Sequence, residues 1–328
     1  MDSATGLKPD VSVSIVTFNN ERCVADLLSD LDAQVGASWE AIVYDNASAD
    51  ATCERLDRTE IDSLVKGETN LGYSSAHNIN IRKCRGRYVL LLNPDVRFAP
   101  DTIATLVAHL DRHPGEAMAG PKILEGEHRR HFAPRHFYPG EGMIELEPGI
   151  NRSEIAWLNG CCILARRDVL ERLGGFDEGF FLYQAETDLC LRARRLGYSL
   201  GWVPEALVFH LHRQSQRTSS EYEYSRRLFE GSAVFWRKHY TPGDVVQMAR
   251  FQARSSSALL AVAAPFERLL PPELRRDRLR ARRDVCREVA ETVNSAENRG
   301  DTLAGIVSRQ SRLAMQWLRH GRFPLDDY

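Results

Sequence analysis

Residues 88–95, Tyr-Val-Leu-Leu-Leu-Asn-Pro-Asp, constrain this chain most, because a short apolar run ends abruptly at a carboxylate. A run that short and that apolar reads as a strand buried on both faces. Two earlier segments stop in the same way, Val11-Ser-Val-Ser-Ile-Val-Thr-Phe-Asn19 and Ala41-Ile-Val-Tyr-Asp-Asn46. Three strands therefore aim polar groups at one edge. Open α/β sheets bind ligands outside the carboxyl ends of their parallel strands, so Thr17, Asn19, Asp45 and Asp95 are expected to converge on one crevice.

The segments between these strands carry helical periodicity. Val24, Leu27, Leu28 and Leu31 recur at i, i+3, i+4 and i+7, the pattern of an amphipathic helix packed on a sheet. A short helix near 50–57, a strand near 61–66 and a helix near 74–84 lead to strand 88–92. A further helix opens at Pro100, with Ile103, Leu106, Val107 and Leu110 on one face; proline suits the first turn, where its missing N–H costs nothing. Such alternation predicts an α/β fold, a doubly wound and mostly parallel sheet with helices on both faces.

Residues 125–153, rich in Gly, Pro, His and Arg and without period, read as a long functional loop. Order returns at 155–160 and 163–165, followed by a short helix whose Asp168 and Glu171 have capping-box spacing and which ends at Gly174-Gly175. A helix over 185–196 is expected to bury Leu189, Ala193 and Leu196 and to close at Gly197. Strands near 198–202 and 206–210 follow. From about 222 the chain reads as helical and charged, so the expected domains are a catalytic 1–220 and a C-terminal helical extension, 221–328.

With a formal charge of -2 the chain has no global attraction to nucleic acid. Its seven cysteines are odd in number and lack any CxxC pair, as expected for reduced core thiols of a cytoplasmic protein. The first residues lack a basic start and an apolar core, so no secretory signal is read there. The apolar stretch 258–264 falls well short of the ~18–20 residues that span a bilayer. Six arginines in 271–283 follow Leu259, Leu260, Phe266 and Leu269. That pairing reads either as an amphipathic helix on an anionic membrane surface or as the solvated face of a helical bundle.

Three constellations can carry chemistry. Asp95 lies just past a buried strand, after a proline that fixes the turn, and is placed to hold a divalent cation on a diphosphate. Between Gly174 and Arg192, glycines, aromatics and then acids open a helix and make a partly desolvated place for a general base. Glu186 and Asp188 are two apart, so on a helix one faces the crevice while the other caps or braces. His210 and His212 share a face at the end of an apolar strand, within reach of one site.

At this point the chain resembles the family-two inverting glycosyltransferases of the GT-A fold, and most the rhamnosyltransferase-type bacterial members that build surface polysaccharides. The motifs are Val13–Asn19, Tyr44–Asp50 with Asn70-Leu-Gly72, Leu91–Asp95, and Asn159-Gly160 continuing into the 174–192 block. The resemblance implies that Thr17, Phe18, Asn19, Asp45, Asn70, Gly72, Asn78 and Asn93 line the nucleotide. It implies that Asp95 binds Mn²⁺ or Mg²⁺ with the donor pyrophosphate, His210 serving as second ligand. Glu186 stands where relatives have the aspartate of a Glu-Asp pair and would be the catalytic base. Trp157, Asn159, Gly160, Tyr183, Asp188 and His212 are assigned to sugar or acceptor, with Phe180 as a further apolar face. The implied partners are a nucleotide-diphosphate sugar, dTDP-rhamnose by likeness, and a glycan or lipid-linked glycan acceptor. The implied setting is the cytoplasm, at the inner face of the cell membrane. Two rivals stay open, a sugar nucleotidyltransferase and a catalytically silent scaffold of a polysaccharide assembly complex. The first would want a glycine-rich phosphate loop after the first strand, and Thr17–Glu21 has none.

Overall fold

The alternation of strands and helices builds a mixed sheet, seen here in a computed structural model that describes residues 8–59, 61–126, 130–141, 143–144, 146, 154–211, 220–263 and 275–297. Four strands form its parallel half: β1 (Val11–Thr17), β2 (Trp39–Asp45), β3 (Ser63–Lys66) and β4 (Tyr88–Leu92). They lie in the order β3-β2-β1-β4, each parallel to its neighbour, with Thr17 opposite Asp45. The crossovers are α1 (Val24–Asp32), α2 (Thr52–Leu56) and α3 (Gly72–Ile81).

The two faces of β1 explain its alternating sequence. Val11, Val13 and Ile15 join one core with Leu27 and Leu31 of α1 and with Ile103, Leu106 and Leu110 of α4 (Thr102–Arg112). The intervening Ser12 and Ser14 are also buried, so their hydroxyls must find partners. Ser14 Oγ lies 2.7 Å from His77 Nδ1 of α3, and Ser12 Oγ donates to Glu40 at 2.5 Å. From α3, Asn80 donates to the carbonyls of Ile15 and Ile42 at 2.9 and 3.1 Å, tying the helix to both strands.

The second half of the sheet departs from the sequence expectations. Beyond β4 come β8 (Cys162–Arg166), β6 (Glu116–Glu125), β9 (Ser199–His210) and β5 (Val96–Phe98), with β7 (Arg130–Phe132) paired to β6. β6 runs parallel to β9 and antiparallel to β8. Three of these strands, β5, β6 and β7, have no counterpart in the sequence reading, and the expected loop over 125–153 begins with the last residue of β6 and contains β7. The two strands expected at 198–202 and 206–210 are one, because the register slips between Pro121/Val203 and Lys122/Leu207 and absorbs Pro204 in a bulge.

Local helix signals were legible in part. α5 (Arg167–Leu173) ends at Gly174 in the left-handed region, φ 72°, as its glycine pair suggests. Its capping box does not form: Arg166 is the N-cap without a side-chain cap, and Glu171 accepts from Arg167 at 2.6 Å. α6 (Ala185–Arg195) buries Leu189 and Ala193, but Leu196 is 46% exposed because it lies past the last helical turn.

The chain divides into two compact units, one of Met1–His136, Asn151–Asp177 and Glu186–Ser215, which holds the whole sheet, and one of Phe137–Ile150, Glu178–Ala185 and Gln216–Tyr328. The second unit is built on α7 (Glu221–His239), α8 (Pro242–Ala263) and α9 (Arg276–Glu297). Ser220 and Glu223 make a reciprocal capping box at the start of α7. Leu279, Val285, Cys286, Val289 and Val293 are the buried stripe of α9. Of the arginine-rich segment, residues 271–274 lie outside the described residues, as do Phe266 and Leu269. Arg282 donates to Ser256 of α8 at 2.7 Å and Arg283 to Asp284 at 2.8 Å, so these two arginines serve the helical unit itself. Among the described residues no helix is long and apolar enough to cross a membrane.

Candidate active site

At the carboxyl edge of the parallel strands the polar residues hold one another. Thr17 Oγ1 donates to Asp45 Oδ1 at 2.7 Å, while Ser48 donates to the same carboxylate through its hydroxyl at 2.6 Å and its N–H at 2.8 Å. Asn19 takes a left-handed conformation, φ 54°, which asparagine tolerates better than most residues. It receives the Ala49 N–H at 2.8 Å and donates its own N–H to Ser48 Oγ at 2.9 Å. Phe18, half-buried between them, donates its N–H to Asn20 Oδ1 at 2.7 Å. Asn46 ties the next loop in, receiving the Leu71 N–H at 2.9 Å and donating to the Gly72 carbonyl at 3.1 Å, while Asn70 Oδ1 accepts the Gly72 N–H at 2.9 Å. The result is a fixed, polar-lined shelf at the ends of β1 and β2.

The neighbouring strand ends bring charge together. Asp95 and His210 are buried and face each other, Oδ1 to Nε2, at 3.3 Å. The other imidazole nitrogen, Nδ1, lies 3.4 Å from Glu125 Oε1, the last residue of β6. Burial pulls the His210 pKa down, but the two carboxylates outweigh it and leave it raised to about 9. A buried place with two carboxylates around one imidazole calls for positive charge, so the donor set suits a hard or borderline divalent cation. Glu125 would then fix the ring from its far side, as outer-shell carboxylates do for metal-bound histidines.

One short segment connects these acids to Glu186. Asn159 donates to Glu125 Oε1 at 3.3 Å, and the Cys161 carbonyl accepts the Asn93 N–H at 2.9 Å. Cys161 is fully buried between them; burial raises its thiol pKa far above the ordinary range, and Cys162, Glu125, Asp95 and Glu186 add to the shift. The charges of those three carboxylates therefore all act on one residue. Gly160, next to it, faces Glu186 so closely that a Cβ there would lie 3.3 Å from the carboxyl carbon. Tyr73 OH donates to the Gly160 carbonyl at 2.9 Å and closes the other side.

The two acids of α6 have separate environments. Asp188 is fully buried and accepts from Arg192 Nε at 2.8 Å, while Arg192 also donates to the carbonyls of Leu173 and Gly175 at 2.8 Å each. Asp188 therefore braces the turn before α6, and its assignment to the acceptor is corrected. Glu186 pairs with none of the described residues. Burial raises its pKa from 4.5 to about 7, with the backbone N–H of its own residue opposing the shift. A carboxyl poised there can accept a proton from a hydroxyl near neutral pH.

Further assignments change with the structure. Asn78 donates to the Phe176 carbonyl at 2.9 Å and accepts the Phe176 N–H at 2.8 Å, so its amide clamps a turn and is not free to meet a nucleotide. Phe180 is 1% exposed and belongs to a core, with Lys238 over its ring at 5.7 Å. Trp157 is half-buried, bridged to Arg135 in the backbone and 6.1 Å from the Phe132 ring. Tyr183 and Gln184 both lie in the left-handed region, φ 60° and 65°, just before α6. Helix α7 approaches that turn through Gly231, where a Cβ would come within 2.7 Å of the Tyr183 carbonyl. His212 lies outside the described residues. Glu125 was missed, although it ends an apolar strand as Asp95 does, because Gly120-Pro121 hides the strand.

A mixed sheet with a polar shelf at the carboxyl ends of its parallel strands, and acids beside it, is the architecture of the GT-A fold. The chain belongs to Glycosyl transferase family 2, which matches residues 12–174. It is 26% identical over 231 residues to the N-acetylglucosaminyl-diphospho-decaprenol L-rhamnosyltransferase of Mycobacterium tuberculosis, covering 60% of this chain and 75% of that protein. The rhamnosyltransferase WbbL of Escherichia coli is 25% identical over 236 residues, 63% of this chain and 86% of that protein. In fold the chain is similar to a mannosyltransferase from Pyrobaculum calidifontis solved with GDP-Man and Mn²⁺, at TM-score 0.51 and 19% identity, over 94% of this chain and 81% of that one. The protein is thus a glycosyltransferase of rhamnosyltransferase-like type.

Proposed function

We propose that the chain transfers rhamnose from dTDP-rhamnose to a hydroxyl of a lipid-linked glycan by a single displacement that inverts the anomeric centre. The observation that carries this reading is Glu186: a carboxyl with no partner among the described residues, its pKa raised to about 7, lying beside Gly160. Glu186 takes the proton of the acceptor hydroxyl as that oxygen attacks the anomeric carbon and the nucleoside diphosphate leaves from the opposite face. Asp95 and His210 would hold Mn²⁺ or Mg²⁺, with Glu125 orienting the imidazole. When bound, that ion supplies Lewis-acid neutralisation of the leaving diphosphate. The shelf of Thr17, Asn19 and Asp45 receives the nucleoside. The named rhamnosyltransferase relatives support the choice of sugar, and the Mycobacterium tuberculosis relative supports a lipid-linked acceptor.

A thermal-shift panel of dTDP, UDP, GDP and CDP, each with Mn²⁺ or with EDTA, tests the reading on wild type and Asp95→Ala. A ligand at 100 times its Kd adds about 2.7 kcal/mol, a shift of several degrees. The expected result is a shift with dTDP that EDTA or Asp95→Ala removes. A preference for another base removes the assigned donor, and an equal shift in Asp95→Ala removes the metal role of Asp95.

An acceptor of this kind places the chain at the cytoplasmic face of the membrane, with the exposed Arg275 and Arg276 toward anionic lipid. Charge reversal at both positions is then expected to weaken binding to phosphatidylglycerol vesicles. Unchanged binding would remove the arginines from that role.

A further inference from the structure

A second group of metal-ligating side chains sits at the opposite end of the sheet. His109 in the last turn of α4, His113 just past that helix and Glu116 at the start of β6 each offer one ligand atom, and these atoms lie within 4.8 Å of one another. Glu125 of the transfer site ends the same strand; nine residues of β structure at ~3.3 Å each put about 30 Å between the two. The clusters are therefore chemically independent.

The local geometry is that of a preorganised site. His109 Nε2 is 2.8 Å from Glu116 Oε2, and the two imidazoles stack with centroids 4.2 Å apart and planes 25° from parallel. His113 Nδ1 lies 2.8 Å from the His109 carbonyl; a carbonyl only accepts, so Nδ1 carries the proton and Nε2 keeps the lone pair. A ligating histidine that donates its other N–H to a backbone carbonyl is the usual outer-shell arrangement of metal sites. Arg166 holds the turn that carries the ligands, donating to the carbonyls of Leu110 at 2.5 Å, His113 at 3.1 Å and Glu116 at 2.8 Å. Across the sheet stands Gly201, where a Cβ would collide with Glu116 Oε2 and lie 2.7 Å from His109 Nε2. The glycine leaves both ligand atoms room.

We propose that His109, His113 and Glu116 bind one divalent transition-metal ion of the Zn²⁺ type, which clips the end of α4 to the start of β6. Two imidazoles and one carboxylate suit Zn²⁺ rather than Mg²⁺ or Ca²⁺, and three protein ligands leave one position for water. The ion takes the place of the Nε2 proton between His109 and Glu116, and the neutral ring changes tautomer and keeps its proton on Nδ1.

Titration of the tag-free, metal-stripped full chain with Zn²⁺ by calorimetry, with Co²⁺ absorption as a report on the ligand set, tests this. The expected result is one stoichiometric equivalent in Asp95→Ala, which keeps this cluster and lacks a ligand of the transfer site. His113→Ala, on an exposed residue, is expected to weaken Zn²⁺ binding by at least ~10-fold while its circular dichroism stays that of wild type. Gly201→Ala, which crowds the ligands without removing one, should weaken it as well. Equal affinity in wild type and His113→Ala overturns the proposal. So does the absence of a stoichiometric equivalent in wild type, or its loss in Asp95→Ala, which would assign the ion to the transfer site.

Discussion

The ends of β1 and β2 and the ends of β4, β6 and β9 lie along one sheet, yet they treat their polar groups in opposite ways. Around Asp45 hydrogen bonds are dense: Thr17 and Ser48 supply three to one carboxylate, and Asn19, Asn46 and Asn70 lock the surrounding loops. Around Cys161 the charges of Asp95, Glu125 and Glu186 all act on one thiol, the His210 imidazole lies between Asp95 and Glu125, and Glu186 has no partner among the described residues. A densely bonded network is rigid and inexpensive to maintain, which suits a shelf that must present a constant shape. A desolvated carboxyl without a partner costs stability, and what it gains is reactivity toward a proton. A densely bonded shelf and a group of less compensated charges are therefore neighbours along one edge.

The largest effect that can break this contrast is on rate. Glu186→Gln keeps the shape and removes the base, so turnover is expected to fall by at least ~10²-fold. Its melting temperature at pH 8 should stay the same or rise, because a buried charge is lost. A full-rate Glu186→Gln enzyme would take the base away from α6 altogether.

A pH profile sharpens the same point. With a pKa of about 7, Glu186 is deprotonated only above that value, so kcat/KM is expected to rise about tenfold per pH unit below 7 and level off above it. Stability runs the other way. The folded carboxyl titrates above its unfolded value of 4.5, so its favourable contribution is complete below that value and is lost as pH rises through 7. A flat rate profile between pH 5.5 and 8 would show that another group sets the rate.

The smallest effect belongs to the shelf. Thr17→Val removes one of the bonds to Asp45 and leaves the two from Ser48, so it should cost about 1 kcal/mol of stability. Nucleotide affinity should weaken while kcat stays near wild type. A larger loss in kcat than in affinity would mean that the shelf also orders the reacting groups.

The parallel half of the fold could be read almost residue by residue, since Tyr88–Leu92 and the apolar positions of α1 declare themselves by local period. The other half could be read only in part, as order at 163–165 and as two strands, 198–202 and 206–210, that prove to be one. β6 carries Gly120-Pro121 and β9 carries Pro204, signals that locally argue against strands, and pairing with each other and with β5, β7 and β8 holds both in the sheet. The capping box expected at Asp168 and Glu171 shows the same limit, because a spacing cannot tell whether an arginine such as Arg167 will claim the acid.

The sequence by itself determined the sheet's parallel half, the polar ends of its strands and the candidacy of Asp95, Glu186 and His210. These follow from periodicity and from where apolar runs stop, both local properties of the chain. Only the tertiary structure decided that Glu186 has no partner among the described residues while Asp188 is held by Arg192, that Asn78 is a clamp and that Glu125 meets His210. Those distinctions depend on partners far apart in sequence. A side chain's desolvation and hydrogen bonds, which set its charge and reactivity, are properties of those neighbours and not of the residue alone.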